Sequence, residues 1–154
     1  MKHNSRIKTL AAIFATTMLV SVTATAQAGD AACSLARAAG TYGVSDSGAV
    51  VGIGPRAAVG TLTLDAAGNL NGEVTASLNG TILAGTLSGT YEVKSDCTGT
   101  ASFTEIDQLG DIAATVSVVW DDNMRQLRFL FTSVTLNGKP LSTIVIGDAR
   151  KLVP

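Results

Sequence analysis

The chain has 154 residues, with 12 acidic and 11 basic side chains, and 46% of its residues are hydrophobic. Its single histidine is His3, so the rest of the chain cannot supply the histidine that Ser-His-Asp hydrolases, Cys-His hydrolases and most zinc sites require. No basic cluster follows the first eight positions, which argues against nucleic acid or an anionic membrane surface as a partner.

The N-terminal stretch has the pattern of a secretory signal peptide. Three basic residues precede an apolar run from Leu10 to Val22, and Ala26-Gln27-Ala28 places small residues where cleavage occurs. The run is too short for a membrane-spanning helix, so no stable membrane insertion is expected. We therefore predict a signal peptide over residues 1–28 and one domain over residues 29–154, in a secreted or periplasmic protein.

Two cysteines, Cys33 and Cys97, lie in the exported part of the chain. An even number of cysteines in an oxidising compartment predicts a structural disulfide. A redox-active pair would need the close spacing of a C-x-x-C motif. Lipid attachment at Cys33 is disfavoured because Asp30 places a charge where an apolar residue is wanted.

The first elements after the leader are a short helix and a weak strand. Residues 30–39 are rich in alanine and are followed by Gly40, which predicts a helix that ends there. The disulfide would tether this helix across one end of the sheet. Residues 41–51 follow as a strand that we expect to bulge or bend at Ser45–Gly48, because glycine inside a strand often marks such a site.

The clearest pattern runs from Ala58 to Val93, where apolar and polar residues alternate with a period of two. Residues 65–69 and the pair Asn79-Gly80 interrupt the alternation with residues that tolerate positive φ. This stretch predicts three antiparallel strands joined by two tight turns.

The remaining chain repeats the same pattern at intervals of about ten residues. Strands are predicted near residues 98–105, 112–120, 126–133 and 141–146, with a second Asn-Gly turn at Asn137-Gly138. About eight strands joined by short turns predict an all-β fold, either an antiparallel up-and-down barrel or a sandwich. We favour the barrel because sequential hairpins close without a long crossover. Its interior would be filled by side chains or would hold one small ligand.

Several phrases in these strands resemble a family of small secreted bacterial β-domain proteins, over roughly residues 33–105. The phrases are Gly40-Thr41-Tyr42-Gly43, Val59-Gly60-Thr61-Leu62-Thr63 with Asp65 and Gly68-Asn69, Thr75-Ala76-Ser77 with Asn79-Gly80, and Gly89-Thr90-Tyr91 leading to Asp96-Cys97-Thr98-Gly99-Thr100. The resemblance implies a secreted β-domain and brings no catalytic residues. The architecture also looks like that of calycins, the lipocalin and avidin class, although Tyr42 stands where lipocalins carry tryptophan.

Candidate ligand-binding residues are five aromatic side chains and one arginine. The aromatic set would line the barrel interior and suit an apolar ligand with one polar end, unless it simply fills the core: Tyr42, Tyr91, Trp120, Phe129 and Phe131. Arg128, placed inside next to Glu105, could orient a carboxylate or promote a cyclisation. The alternative is that Arg128 points outward into solvent.

Four aspartates form the remaining candidate cluster: Asp107, Asp111, Asp121 and Asp122. A predicted strand separates the two pairs and places them at opposite ends. The turn Asp121-Asp122-Asn123 could weakly hold calcium, but a solvated turn is the simpler interpretation. No metal site, cofactor or catalytic residue is predicted.

Three functions are compatible with this sequence. The first is an exported non-enzymatic barrel that binds a small hydrophobic ligand or serves an envelope role. The second is a barrel isomerase or cyclase that acts by shape with a few carboxylates, Tyr91 and Arg128. The third is a surface or matrix protein that assembles through strand edges. A cavity with two or more inward ionisable groups would favour the second, and a filled interior with a long exposed edge would favour the third.

Overall fold

The computed structural model describes residues 33–153, so the predicted signal peptide lies outside the described residues and remains a prediction. The described chain has one helix, α1 (Leu35–Ala38), and a 3₁₀ turn at Asp122–Met124. Its strands are β1 (Gly40–Val50), β2 (Gly54–Leu64), β3 (Asn69–Leu78), β4 (Thr81–Val93), β5 (Thr98–Asp107), β6 (Gly110–Asp121), β7 (Gln126–Leu136), β8 (Lys139–Pro140) and β9 (Thr143–Lys151).

Eight of these strands close into an antiparallel barrel. Strands β1 to β7 pair each with the next, and β9 joins β7 to β1 and completes the ring. The two-residue β8 lies outside this ring and pairs only with the end of β7. The predicted up-and-down barrel of about eight strands, with one short helix before it, is therefore confirmed. No helix among residues 33–153 is long and apolar enough to cross a membrane.

Tight turns at the hairpins follow from residues that accept positive φ. Asn79 and Gly80 have φ of 49° and 87°, and Asn137 and Gly138 have φ of 49° and 76°. Positive φ at both central positions matches the twist of the flanking strands. Both Asn-Gly pairs therefore reverse the chain as predicted.

The barrel interior takes the apolar face of every long strand. On β7 an extra residue, Thr132, shifts the register, because Val116 pairs with Phe131 while Thr115 pairs with Ser133. This bulge lets Phe131 and Val134 both point inward although they are three residues apart.

Of the bulge or bend expected at Ser45–Gly48, the bulge is wrong. Strand β1 pairs with β2 over its whole length, and with β9 from Tyr42 to Val50, without a register shift. Gly48 is needed for another reason, since a Cβ atom there would lie 1.9 Å from the carbonyl oxygen of Ile144 on β9. The glycine permits close approach of two strands.

The helix is shorter than the predicted span of residues 30–39, and residues 30–32 lie outside the described chain. Ser34 is extended, and its hydroxyl accepts a hydrogen bond from the Arg37 amide, as an N-cap does. The disulfide between Cys33 and Cys97, with Cα atoms 5.1 Å apart, confirms the predicted pairing. It holds the segment before the helix against the β4–β5 turn, and the extended backbone of Ser34 sets the start of the helix at Leu35.

Candidate functional site

Two cavities lie inside the barrel, separated by a layer of Arg56, Glu105 and Phe131, which line both. The cavity on the helix side has a volume of about 70 Å³. The cavity on the far side has a volume of about 60 Å³ and is bounded by aliphatic residues near the opposite end, such as Val50 and Leu141. We call these the helix-side cavity and the far cavity.

Aromatic rings form much of the wall of the helix-side cavity. Phe103, which was not predicted, lines this cavity. So do four of the five predicted aromatic residues, namely Tyr91, Trp120, Phe129 and Phe131. The rings of Phe103 and Phe131 meet edge to face with centroids 6.1 Å apart, and Tyr91 and Trp120 are 6.4 Å apart. Such packing is favourable and holds the rings in defined positions. The remaining lining residues are mostly aliphatic, so the wall is apolar.

Tyr42, the fifth predicted aromatic residue, belongs to the sealed end and does not line either cavity. It is fully buried, and its hydroxyl donates a hydrogen bond to the Ala38 carbonyl oxygen at 2.6 Å. Burial, followed by the influence of Tyr91, raises the pKa of Tyr42 to about 12. The residue therefore fastens the helix to the barrel.

Tyr91 has a double role, since its ring lines the helix-side cavity while its hydroxyl points to the sealed end. That hydroxyl donates to the Asp65 carbonyl oxygen at 2.6 Å. Burial and the nearby charge of Asp65 raise the pKa of Tyr91 to about 12. Its hydroxyl is therefore committed to the protein and is not available as a polar handle for a ligand.

Arg128 lies on the outer face of the barrel, with 67% of its side chain exposed, and forms an ion pair with Asp121. It lines neither cavity. The arginine that does lie inside, near Glu105, is Arg56 on β2. Sequence reasoning missed it because residues 52–57 resembled a loop. The alternation of β2, extended backward from Leu62 through Gly60 and Ala58, places residue 56 on the inward face and could have identified it.

Arg56 is held by a two-point contact with Asp46 of β1. The guanidinium Nε lies 3.1 Å from Oδ1 of Asp46, and Nη2 lies 3.2 Å from Oδ2. Burial alone would lower the pKa of Arg56, but the bonds and charge of Asp46, with the charge of Glu105, raise it. Arg56 therefore stays positively charged, and Asp46 is its main partner.

Glu105 is the most unusual group in the layer, because only 3% of its surface is exposed. Its Oε2 atom is 3.9 Å from Nη2 of Arg56, too far for a hydrogen bond, and no hydrogen bond to its carboxyl is found within residues 33–153. Burial raises the pKa of Glu105; Asp107 and Asp46 add to the rise, and Arg56 opposes it. Glu105 is thus a buried acid group that faces both cavities.

The predicted aspartate pairs lie at opposite ends of β6, as the pattern indicated: Asp111 is near its start, and Asp121 is its last residue. Among residues 33–153, no group of three or more histidine, cysteine, aspartate or glutamate side chains is positioned to hold a metal ion.

Solved structures with a similar fold are small β-barrels. One is a structure of EF1p2_mFAP2b bound to DFHBI, with 14% identity, a TM-score of 0.52, and coverage of 77% of this chain and all of that one. Another is the redesigned β-barrel b11L5F_LGL, with 17% identity, a TM-score of 0.50, and coverage of 79% and 100%.

No protein-family model and no curated protein matches the chain. The predicted membership of a family of secreted bacterial β-domain proteins therefore remains a prediction. At these identities, the similarity to solved structures shows the fold alone, a small closed β-barrel.

Proposed function

We propose that the protein binds a small, mostly apolar molecule inside the barrel. The molecule would lie in the helix-side cavity and contact the charged layer next to it, which is formed by Arg56, its partner Asp46, and Glu105. The observation that carries this proposal is an apolar, partly aromatic cavity bordered on one side by two ionisable groups, Arg56 and Glu105. Ligand sites commonly combine an apolar wall with a few polar groups that fix orientation.

Cavity size limits the ligand. At about 70 and 60 Å³, each cavity is smaller than the roughly 300 Å³ of common ligand pockets. A longer molecule would occupy both cavities if Phe131, which separates them, turned aside. We therefore propose a slender ligand with a short apolar chain or a single ring.

Access to the interior is proposed at the end opposite the helix. The helix end is closed by α1 and the disulfide, whereas the far end has only hairpin turns, with exposed apolar side chains at Val51, Ile53 and Leu109. An apolar rim would lower the cost of passing an apolar molecule into the barrel.

The barrel fold supports this function by analogy, because EF1p2_mFAP2b has the same general architecture and was solved bound to DFHBI. We further propose that the protein acts outside the cytoplasm. The predicted leader and the Cys33–Cys97 disulfide both fit an oxidising compartment.

Trp120 allows a direct test, because it is the single tryptophan of the chain and lines the helix-side cavity. Titration with 1-hexanol should change its fluorescence in a saturable manner. Val118 is 5% exposed and lines the cavity, so Val118→Phe should fill the cavity with a ring and abolish the fluorescence change. Val119 is 52% exposed on the outer face, so Val119→Phe should retain the change. Circular dichroism verifies that both variants fold. No saturable change in the wild type would refute the proposal.

A barrel isomerase or cyclase is the second candidate, and one observation favours it. Arg56 and Glu105 are two inward ionisable groups at the same cavity, and the raised pKa of Glu105 suits a general acid. If this function is correct, Glu105→Gln protein purified from the producing organism should carry a different small molecule, the substrate, from the wild type. Identical bound molecules would favour binding alone.

Assembly through strand edges has less support. Every strand of the eight-stranded ring has a partner on both sides, so the described barrel has no long free edge. A surface or matrix role would therefore need a different contact.

A further inference from the structure

We propose that the ligand carries a basic nitrogen, as a primary ammonium does, and that this group pairs with Glu105 in the middle of the barrel. This inference rests on the proposed ligand-binding function and specifies the chemical class of the ligand. The apolar part of the molecule would lie against the aromatic wall of the helix-side cavity.

Arg56 already has a carboxylate partner in the protein. Its guanidinium is engaged at two points by Asp46, at 3.1 and 3.2 Å, and both side chains are largely buried. A ligand carboxylate would have to displace Asp46 from this two-point contact, which is the strongest geometry for such a pair. Arg56 is therefore poorly placed to select an acidic ligand.

The carboxyl of Glu105 lacks a hydrogen-bond donor among residues 33–153. Its only ion-pair partner among residues 33–153 is Arg56, whose Nη2 is 3.9 Å from Oε2, whereas a buried glutamate is usually both paired and hydrogen-bonded. Its cross-strand neighbours, Leu87 on β4 and Ile112 on β6, carry apolar side chains that cannot donate. Because the carboxyl lines both cavities, a donor can reach it from the space where we place the ligand.

Gly85 keeps space around this carboxyl. A Cβ atom at residue 85 would lie 3.0 Å from Cγ and 3.1 Å from Oε1 of Glu105. These contacts are tighter than ordinary packing, so a side chain there would press on the acid group. The glycine leaves Glu105 unobstructed on the β4 side.

The carboxyl groups around Glu105 outnumber the cationic side chains. Three carboxyl groups interact electrostatically in this layer: Asp46 on β1, and Glu105 and Asp107 on β5. The one cationic side chain that interacts with them is Arg56 on β2. The Oδ2 atom of Asp107 is also buried without a hydrogen bond. The layer therefore has an excess of acceptors and of potential negative charge, which a cation would offset.

Three probes with the same chain separate the alternatives: hexylamine, 1-hexanol and hexanoate, each titrated at pH 7 against Trp120 fluorescence. A charge-assisted hydrogen bond predicts that hexylamine binds about ten- to a hundredfold more tightly than hexanol. Glu105→Gln should remove this preference, because an amide is uncharged. The matched control is Glu73→Gln on the outer surface, which should behave like the wild type.

The other outcomes identify which proposal has failed. If hexanol binds but hexylamine binds no more tightly, or hexanoate binds most tightly, the basic-ligand inference is overturned and the ligand-binding function stands. If the preference for hexylamine persists in Glu105→Gln, the inference is also overturned. If no probe binds the wild type, both proposals fail. Circular dichroism verifies that Glu105→Gln and Glu73→Gln are folded.

Discussion

The two ends of the barrel are built in different ways. At the helix end, a disulfide and the hydrogen bonds that Tyr42 and Tyr91 donate to the carbonyl oxygens of Ala38 and Leu35 hold α1 across the opening. At the far end the strands are joined by hairpin turns, and apolar side chains such as Val51 and Leu109 remain exposed. The helix end is therefore fastened more firmly than the far end, and this difference is the reason that we propose access at the far end.

The charged layer lies between these two ends and consists of buried ionisable side chains. Asp46 and Arg56 satisfy each other, whereas Glu105 is buried without a hydrogen bond in the described chain. Stability at the helix end and binding in the middle should therefore respond to different substitutions.

The largest expected effect is loss of the disulfide. Replacing Cys33 and Cys97 by alanine removes a cross-link between positions 64 residues apart, which should lower the free energy of unfolding by about 4 kcal/mol in the chain-entropy model. Urea unfolding measures the change, and reduced wild type is the control. A loss below about 1 kcal/mol would show that the helix end does not depend on its covalent tether.

Next is Arg56→Met, which leaves Asp46 buried without its partner. Breaking a buried ion pair in this way should cost about 3 kcal/mol in urea unfolding. Arg128→Met is the matched control on the outer face, where loss of the pair with Asp121 should cost less than about 1 kcal/mol. Equal effects at the two positions would contradict the description of an inner charged layer.

Tyr42→Phe should have a smaller effect. The change removes one buried hydrogen bond, at 2.6 Å to the Ala38 carbonyl oxygen, and keeps the ring, so the expected loss is about 1 to 2 kcal/mol. Because the affected bond joins β1 to α1, hydrogen exchange should become faster in residues 35–39 before the far end is affected. Unchanged exchange there would mean that the hydroxyl does not hold the helix.

The smallest expected effect is a dependence of stability on pH. The pKa of Glu105 is raised above 4.5 in the folded state, so its contribution is full below about pH 4.5 and is lost as the pH rises through the folded pKa. Asp65 and Asp96 have lowered pKa values, so their contributions are lost as the pH falls below about 3.8. Stability should therefore be greatest in mild acid.

Glu105→Gln tests this assignment, because it removes only the first of these dependences. The free energy of unfolding of the variant should stay nearly level as the pH rises above 4.5, while Glu73→Gln should follow the wild type. If the two variants show the same decline, Glu105 is not the responsible group.

The fold was predictable from local chemistry, and much of the site was not. Alternation in residues 58–93 and the two Asn-Gly turns are properties of short segments. The same pattern, repeated over about eight strands joined by short turns, predicted the barrel. Arg56 was missed because Gly54 and Pro55 resemble a loop, although β2 begins at Gly54. The inward position of Val134 depends on the bulge at Thr132, which arises from pairing with β6 and has no local signature.

Native mass spectrometry of the protein purified from the organism that makes it tests the central claim most directly. We expect a population heavier than the oxidised chain by the mass of one small molecule, and we expect Val118→Phe to lack it while Val119→Phe retains it. The bare oxidised chain alone in the wild type, under conditions that preserve weak complexes, would contradict a ligand-binding barrel.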